Sequence, residues 1–390
     1  MFVIPSIGRA FIVGTSVVLL VAAGFARAEE VKVNGAAEFR AAVARAKPGT
    51  RLLLAKGDYG AGFHFVNLRG EENNPIIVAA ADPQQPPVFR DGNTGLHLSN
   101  PAHVELHNLK FTKLAHNGLN IDDGGTTTKA TARGIVLRGL QVSDVGSDGN
   151  HDGIKLSGLW DFRVDGCTIE RWGTKGGSAI DMVGCHRGTI ENCTIRHKEP
   201  EPPNCTGVQA KGGSSDLVIR RNRFEHAGGR SVNIGGSTGL KFFRPPLGDG
   251  TNHAEARNLR VEGNTFIGSV APVAFVGVDG AVVRFNTIEL PGRWAMRILQ
   301  ENRSPGFIAC RNGEFTDNTI VFNSASWGEG GANIGAGTAP ATFKFARNWW
   351  YCRDSPERSR PRLPRPEVDG TYGRAVAEAQ GKAGADALPK

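Results

Sequence analysis

Five short segments place polar side chains at a fixed alternation: GLNIDD from Gly118, GIKLSG from Gly153, AIDMVG from Ala179, GVQAKG from Gly207 and SVNIGG from Ser231. Aligned on their glycines, the last four carry apolar residues at the first and third positions of IKLSG, IDMVG, VQAKG and VNIGG, and a period of two turns those inward. Lys155, Asp181, Gln209 and Asn233 then share one outward column, with Ser157, Val183, Lys211 and Gly235 in the next. Adjacent strands lie ~4.8 Å apart, so stacked segments would make these groups direct neighbours. One segment earlier, Asn120, Asp122 and Asp123 extend the patch, and His151 and Asp152 stand at the entrance to the Lys155 strand. Later segments offer VAFVGV around Phe275 and then Arg297, so the dense polar patch occupies only the middle of the chain, which favours a site over a uniformly solvated face.

Lysines, carboxylates and amides in one patch suit work on an anionic sugar polymer. β-Elimination removes the proton beside a uronate carboxyl, so that carboxylate must be neutralised, by Ca²⁺ or arginine, while a base takes the proton. Lysine serves as that base once neighbouring cations and partial burial lower its pKa, and Lys211 and Lys155 are the candidates. Hydrolysis instead needs two carboxylates across the scissile bond. Asp122, Asp123, Asp152 and Asp181 could supply that pair, and they are equally the candidate ligands for Ca²⁺. Gln209, Asn233, Arg297, His151 and His226 are candidate substrate contacts, and His186 is a further loop histidine. The plainer reading of the same residues is a solvated strand surface, with Lys155 over Asp181 an ion pair worth ~0–1 kcal/mol.

What positions this patch is a repeat. HVELHNLKF, GIVLRGLQV, FRVDGCTIE, GTIENCTIR, LVIRRNRFE, LRVEGNTFI, AVVRFNTIE, GEFTDNTIV and TFKFARNWW are nine copies of one pattern, two short alternating strands joined by a sharp turn. The turn falls at Asn108, Gly139, Gly166, Asn192, Asn222, Asn264, Asn286, Asn318 and Asn348, residue types that tolerate a left-handed backbone. Stacked asparagines there can bond to one another's backbones. Successive turns lie 22 to 42 positions apart, mostly near 30, one solenoid coil plus variable loops. With the glycine-bounded segments as a third strand per coil, the chain reads as an all-β, single right-handed parallel β-helix. Leucine-rich repeats share the period, but their leucine and asparagine spacing is absent. AAEFRAAVARA from Ala36 to Ala46 has helical spacing of Phe39 and Val43 and is expected to cap the first coil.

Arg9, the apolar run Ala10 to Phe25 and Ala26-Arg27-Ala28 form a signal peptide over residues 1–28, with the mature chain starting near Glu29. A retained anchor would need ~20 apolar residues, more than this run holds. The solenoid is expected over 29–352. A Pro/Arg-rich segment laid on it and then a loose polar tail are expected over 353–390. The composition agrees, with 52 Gly, 3 Met, 3 Tyr and 39% hydrophobic residues, as short strands joined by many turns require. The formal charge of +8 favours anionic partners in an exported protein, acidic polysaccharide before nucleic acid. The expected location is secreted or periplasmic, as a monomer. Export permits disulfides: Cys310–Cys352 is the expected pair and Cys185–Cys205 a second, while Cys167 and Cys193 should stack in adjacent coils. No C-x-x-C pair suggests zinc.

From Val31 to Phe111, the run AEFRAAVARAKPGTRLLLAKGDYG, then GEENNPIIVAAAD, then HVELHNLKF resembles the opening of the chondroitinase B and alginate lyase family of β-helix polysaccharide lyases. In that family a third-strand lysine acts as base, a following arginine assists, and acidic residues with an asparagine hold Ca²⁺. GVQAKGGSSDLVIRRNRFEHAGG is similar to the lysine-bearing coil, which implies Lys211 as the base. In the next coil, RSVNIGG, the arginine's register position is Asn233 and the nearest arginine is Arg230. PPNCTGVQ holds no carboxylate after Glu201, so the family's acidic cluster is missing there.

The first reading is therefore a lyase of anionic glycans, with Lys211 as base, as the resemblance implies, and Lys155, Arg230 or Arg297 holding the substrate acid. A polygalacturonase-type hydrolase would use Asp122-Asp123, but the Gly-His-Gly and Arg-Ile-Lys segments of that family are absent. A C5-epimerase shares the lyase's first step, and a non-catalytic glycan-binding solenoid would bind without turnover.

Overall fold

The computed structural model describes residues 1–3, 29–127, 129 and 131–389, and the signal peptide expected over 1–28 lies outside them from residue 4 onward. Among the described residues, strands stack into three parallel sheets. The first face runs from Glu30–Val33 to Lys344–Ala346, the second from Asp58–Gly60 to Thr371–Tyr372, and the third from Phe63–Val66 to Ala332–Ile334. Each coil visits the faces in that order and then climbs one rung, which makes a triangular parallel β-helix. Alternation builds it: in Ala102–His107, Val104 and Leu106 are buried while Glu105 and His107 are partly exposed. Aromatic rings stack inside from rung to rung, as Phe89 does on Phe111 at 5.0 Å and Phe224 on Phe266 at 4.9 Å.

The helix Ala36–Arg45 closes the first coil as expected, burying Phe39, Ala42 and Val43, with Phe39 edge-on to Phe63 at 5.1 Å. Among the described residues no helix is long and apolar enough to cross a membrane.

The corner between the first and second faces corrects the repeat alignment by one residue. Asn108, Gly139, Gly166 and Asn192 do adopt positive φ, but in later coils the left-handed residue precedes the asparagine: Arg221, Gly263, Phe285, Asp317 and Arg347. The inward corner position is therefore Leu109, Leu140, Cys167, Cys193, Asn222, Asn264, Asn286, Asn318 and Asn348, all buried. From Asn222 onward the asparagines form a ladder. Asn286 Oδ1 accepts from the backbone N–H and Nδ2 of Asn264, both at 3.0 Å, while its own Nδ2 donates to Val261 O at 2.9 Å and Asn318 Oδ1 at 3.0 Å. Removing one rung leaves buried donors and acceptors unpaired on both sides. Asn286→Ala is thus expected to cost about 3 kcal/mol in a urea unfolding titration.

The C-terminal segment lies along the solenoid, where Glu367 ends the ladder by accepting from Asn348 Nδ2 at 2.6 Å. The final stretch, expected to be loose, is packed instead: Ala379 and Ala383 bury against Trp349, and Gly384 N–H donates to Asp317 O at 2.9 Å. Neither expected disulfide forms, since all six cysteines are free and buried. Cys185 and Cys310 sit at the corner between the third and first faces, whereas Cys205 and Cys352 sit at the corner between the second and third. Each expected pair would have to reach across a whole face. Cys167 and Cys193 do occupy adjacent rungs of the corner ladder.

Candidate active site

The third face stacks Leu119–Asp122, Ile154–Ser157, Ser178–Val183, Thr206–Lys211 and Arg230–Gly235. The register partners Asn120–Lys155, Lys155–Asp181, Asp181–Gln209 and Gln209–Asn233 make one column, and Val183–Lys211 belongs to the next. This is the arrangement that the glycine alignment predicts. Ile154, Leu156, Ile180, Met182, Val208 and Ala210 fill the core between them, so the polar side chains have only the outside to occupy.

At the centre, Asp181 lies under two lysines and is 2% exposed. Lys155 Nζ donates to its Oδ2, and Lys211 Nζ stands 3.3 Å from its Oδ1 while donating to Gln209 Oε1 at 3.0 Å. Asp152 approaches from the neighbouring corner, 3.5 Å from Lys155 Nζ, and its Oδ1 accepts the Ser178 N–H at 2.8 Å. Burial works against the Lys155 ammonium, but Asp181 and Asp152 outweigh it and hold the pKa above the ordinary lysine value. Burial, and then the Asp181 charge, push Asp152 up to about 7, against the pull of Lys155, the Ser178 amide and Lys211. Asp152 therefore binds its proton more tightly folded than unfolded. Between about pH 4 and about pH 7 the folded protein carries the extra proton, so this group's contribution makes stability fall as pH rises through that window. Asp152→Asn is expected to remove about 3 kcal/mol of that fall, measured as the difference from wild type in urea unfolding at about pH 4.5 and about pH 8.

Over this floor opens a cleft of about 750 Å³, lined by Lys155, Lys211, Asp122, Asp123, Phe242 and Arg244 among others. Its side wall is the insertion between Arg230–Gly235 and Ala256–Glu262, which doubles back along the corner of the third and first faces. Arg244 is the residue that the sequence reading missed. Its Nε donates to Asp123 Oδ2 at 2.7 Å, its N–H donates to Gly212 O at 3.1 Å, and its carbonyl lies 3.0 Å from His186 Nε2. His186 thus holds the wall and does not face the cleft chemistry. Glu255, fully buried, fixes the root of the wall to the lysine strand. It accepts from the Gly212 N–H at 3.0 Å, the Thr238 N–H at 2.8 Å and the Thr238 hydroxyl at 2.7 Å.

At the other end, Asp122 accepts from His97 Nε2 at 2.6 Å and from the Gly124 N–H at 2.8 Å, and His97 stacks on His64 at 4.2 Å. Burial raises its pKa, but His97, the Gly124 amide and Ser99 together hold the Asp122 carboxyl below its usual range. The remaining candidates lie off the cleft lining. Arg230 is bound to Asn233 Oδ1 at 3.1 Å and Glu301 Oε1 at 2.7 Å, and buried Asn233 faces it. Arg297 donates to Asn333 at 2.9 Å over the Trp294 ring, three strands beyond the lysine strand. His151 stacks on His116 at 4.6 Å, and His226 contacts Glu201 at 3.1 Å. Gln209, beside Asp181 in the column, accepts from Lys211 and is not itself part of the cleft lining.

Ca²⁺ does not fit this donor set. Asp122 is engaged by His97, Asp123 by Arg244, and Asp152 and Asp181 by lysine ammonium groups standing where a cation would have to sit. Among the described residues no three His, Cys, Asp or Glu side chains group as a metal site.

Residues 94–288, half of the chain, match the family model of the right-handed β-helix region. The chain belongs to this right-handed β-helix family. Solved structures with the same coil include an alginate lyase from Paenibacillus sp. str. FPU-7, with a TM-score of 0.51 at 15% identity over 81% of this chain and 99% of that one. A GH136 lacto-N-biosidase from Eubacterium ramulus aligns with a TM-score of 0.51 at 13% identity, over 84% of this chain and 62% of that one. No curated protein sequence matches the chain. At such identities the likeness establishes the right-handed β-helix, a fold on which those two carry different reactions.

Proposed function

We propose that the protein is an exported polysaccharide lyase that cleaves a uronate-containing polymer by β-elimination, without a metal ion. The observation that supports this most is the pair Lys155 and Lys211 over one buried aspartate, on the floor of a cleft walled by Arg244. Lys155, kept as an ammonium by two carboxylates, and Arg244 neutralise the substrate carboxylate. Lys211 removes the proton on the adjacent carbon, the glycosidic oxygen leaves from the next carbon and takes up a proton, and the new double bond conjugates with the carboxyl. The alginate lyase neighbour supports the reading at the level of the fold. Hydrolysis is less well served. Asp122 and Asp123 are consecutive and tied to His97 and Arg244, and Asp181 lies beneath the lysines, so among the described residues no two of these carboxylates face each other across the cleft.

The test is incubation of the mature protein with polymannuronate, polyguluronate, polygalacturonate and dermatan sulfate, with and without EDTA, following ultraviolet absorbance of the unsaturated uronate. A rise on one polymer that survives EDTA is the expected result. Reducing ends without absorbance would move the reaction to hydrolysis. Solvent isotope entering the uronate without cleavage would make the enzyme an epimerase.

A further inference from the structure

Beyond the first three residues, five large apolar side chains stand exposed among the described residues: Val66, Leu240, Phe242, Leu290 and Val368. Two of them, Val66 and Phe242, line the one cleft described above. Phe242 is 50% exposed, and a flat apolar ring left in water at a cleft wall gains free energy when a ligand covers it. The backbone that carries the ring is also held in place. It ends the short turn Leu240–Phe242, its carbonyl accepts from Arg244 Nη1 at 3.0 Å, and the wall is pinned on either side of it, at Thr238 by Glu255 and at Arg244 by Asp123, Gly212 and His186. Lys241 Nζ stands 5.0 Å from the ring centroid. A pre-organised aromatic face two residues from a guanidinium, above two lysines, is complementary to an anionic sugar, which has an apolar C–H face and a charged edge.

We propose that Phe242 is the sugar-stacking platform of the cleft: a uronate ring lies on it with the carboxylate turned towards Arg244. This rests on the reading of the cleft as a uronate-polymer site. The test is native affinity electrophoresis in the cold, in gels containing polymannuronate, polyguluronate, polygalacturonate or neutral xylan, comparing wild type with Phe242→Ala, Phe242→Leu, Phe242→Trp and Leu240→Ala. The expected result is retardation of wild type by one uronate polymer. Phe242→Ala and Phe242→Leu should weaken it about tenfold, Phe242→Trp should retain it, and Leu240→Ala should not change it. Leucine keeps the apolar bulk and lacks the flat face, so its failure beside tryptophan's success separates stacking from packing of the wall. Equal retardation of wild type and Phe242→Ala overturns the platform and leaves the lyase reading standing. Retardation by xylan alone, lost in Phe242→Ala, keeps the platform and removes the anionic substrate. Retardation in none of the gels overturns it.

Discussion

Lys211→Ala is expected to lower kcat on the cleaved polymer by about a thousandfold or more, with a much smaller change in KM, because a positioned base contributes on the order of 10²–10⁴ to proton abstraction. The two lysines differ in what surrounds them. Lys155 meets both Asp181 and Asp152, and they hold its pKa above the ordinary value, which suits a fixed cation and disqualifies it as the base. Lys211 meets Asp181 at 3.3 Å and the neutral Gln209, and lines the cleft. Arginine separates their roles, because it keeps the charge and cannot give up its proton at working pH. Lys211→Arg should therefore be as inactive as Lys211→Ala, whereas Lys155→Arg should retain part of the activity. Both variants are read by steady-state ultraviolet assays. A solenoid that only binds glycan would tolerate Lys211→Arg, so full retention of polymer binding with no turnover in wild type would sink the catalytic assignment.

The fold and the floor of the site were legible in the sequence because both follow from period two. Apolar residues at the first and third positions of IKLSG, IDMVG, VQAKG and VNIGG fix which side chains face outward, and the flanking glycines fix the register. The corner ladder was legible only to within one residue. Its early rungs are Leu109, Leu140, Cys167 and Cys193, and the visible Asn108 and Asn192 stand one position before it, in the left-handed turn. Arg244 belongs to no repeat, so no periodic argument could place it against Asp123, 121 residues away in sequence. The one available signal was the longest gap between turn residues, from Asn222 to Asn264, which marks an insertion beside the lysine coil. The disulfide expectation failed because repeat spacing fixes the rung and not the corner.

Asp181→Asn is expected to do the largest structural damage of any single isosteric change in the cleft. Its carboxylate is 3% exposed and meets both lysines, so removing its charge leaves the Lys155 ammonium without its nearest counter-charge in a low-dielectric floor. Breaking a buried ion pair by neutralising one member costs about 3–5 kcal/mol. The surface pair of Asp161 and Arg187, both about half exposed, provides the control, because Asp161→Asn should cost under about 1 kcal/mol. Two further readouts separate loss of charge from loss of packing. The Asp181 charge is the second cause, after burial, of the raised Asp152 pKa. In Asp181→Asn the pH dependence of stability between about pH 4 and about pH 7 should therefore shrink, and wild-type behaviour there would refute the coupling. Lys211 also loses the carboxylate that orients its Nζ at 3.3 Å, so kcat should fall by about a hundredfold under conditions where the variant is still folded. A variant that is folded and fully active would show that Asp181 only balances charge and does not aim the base.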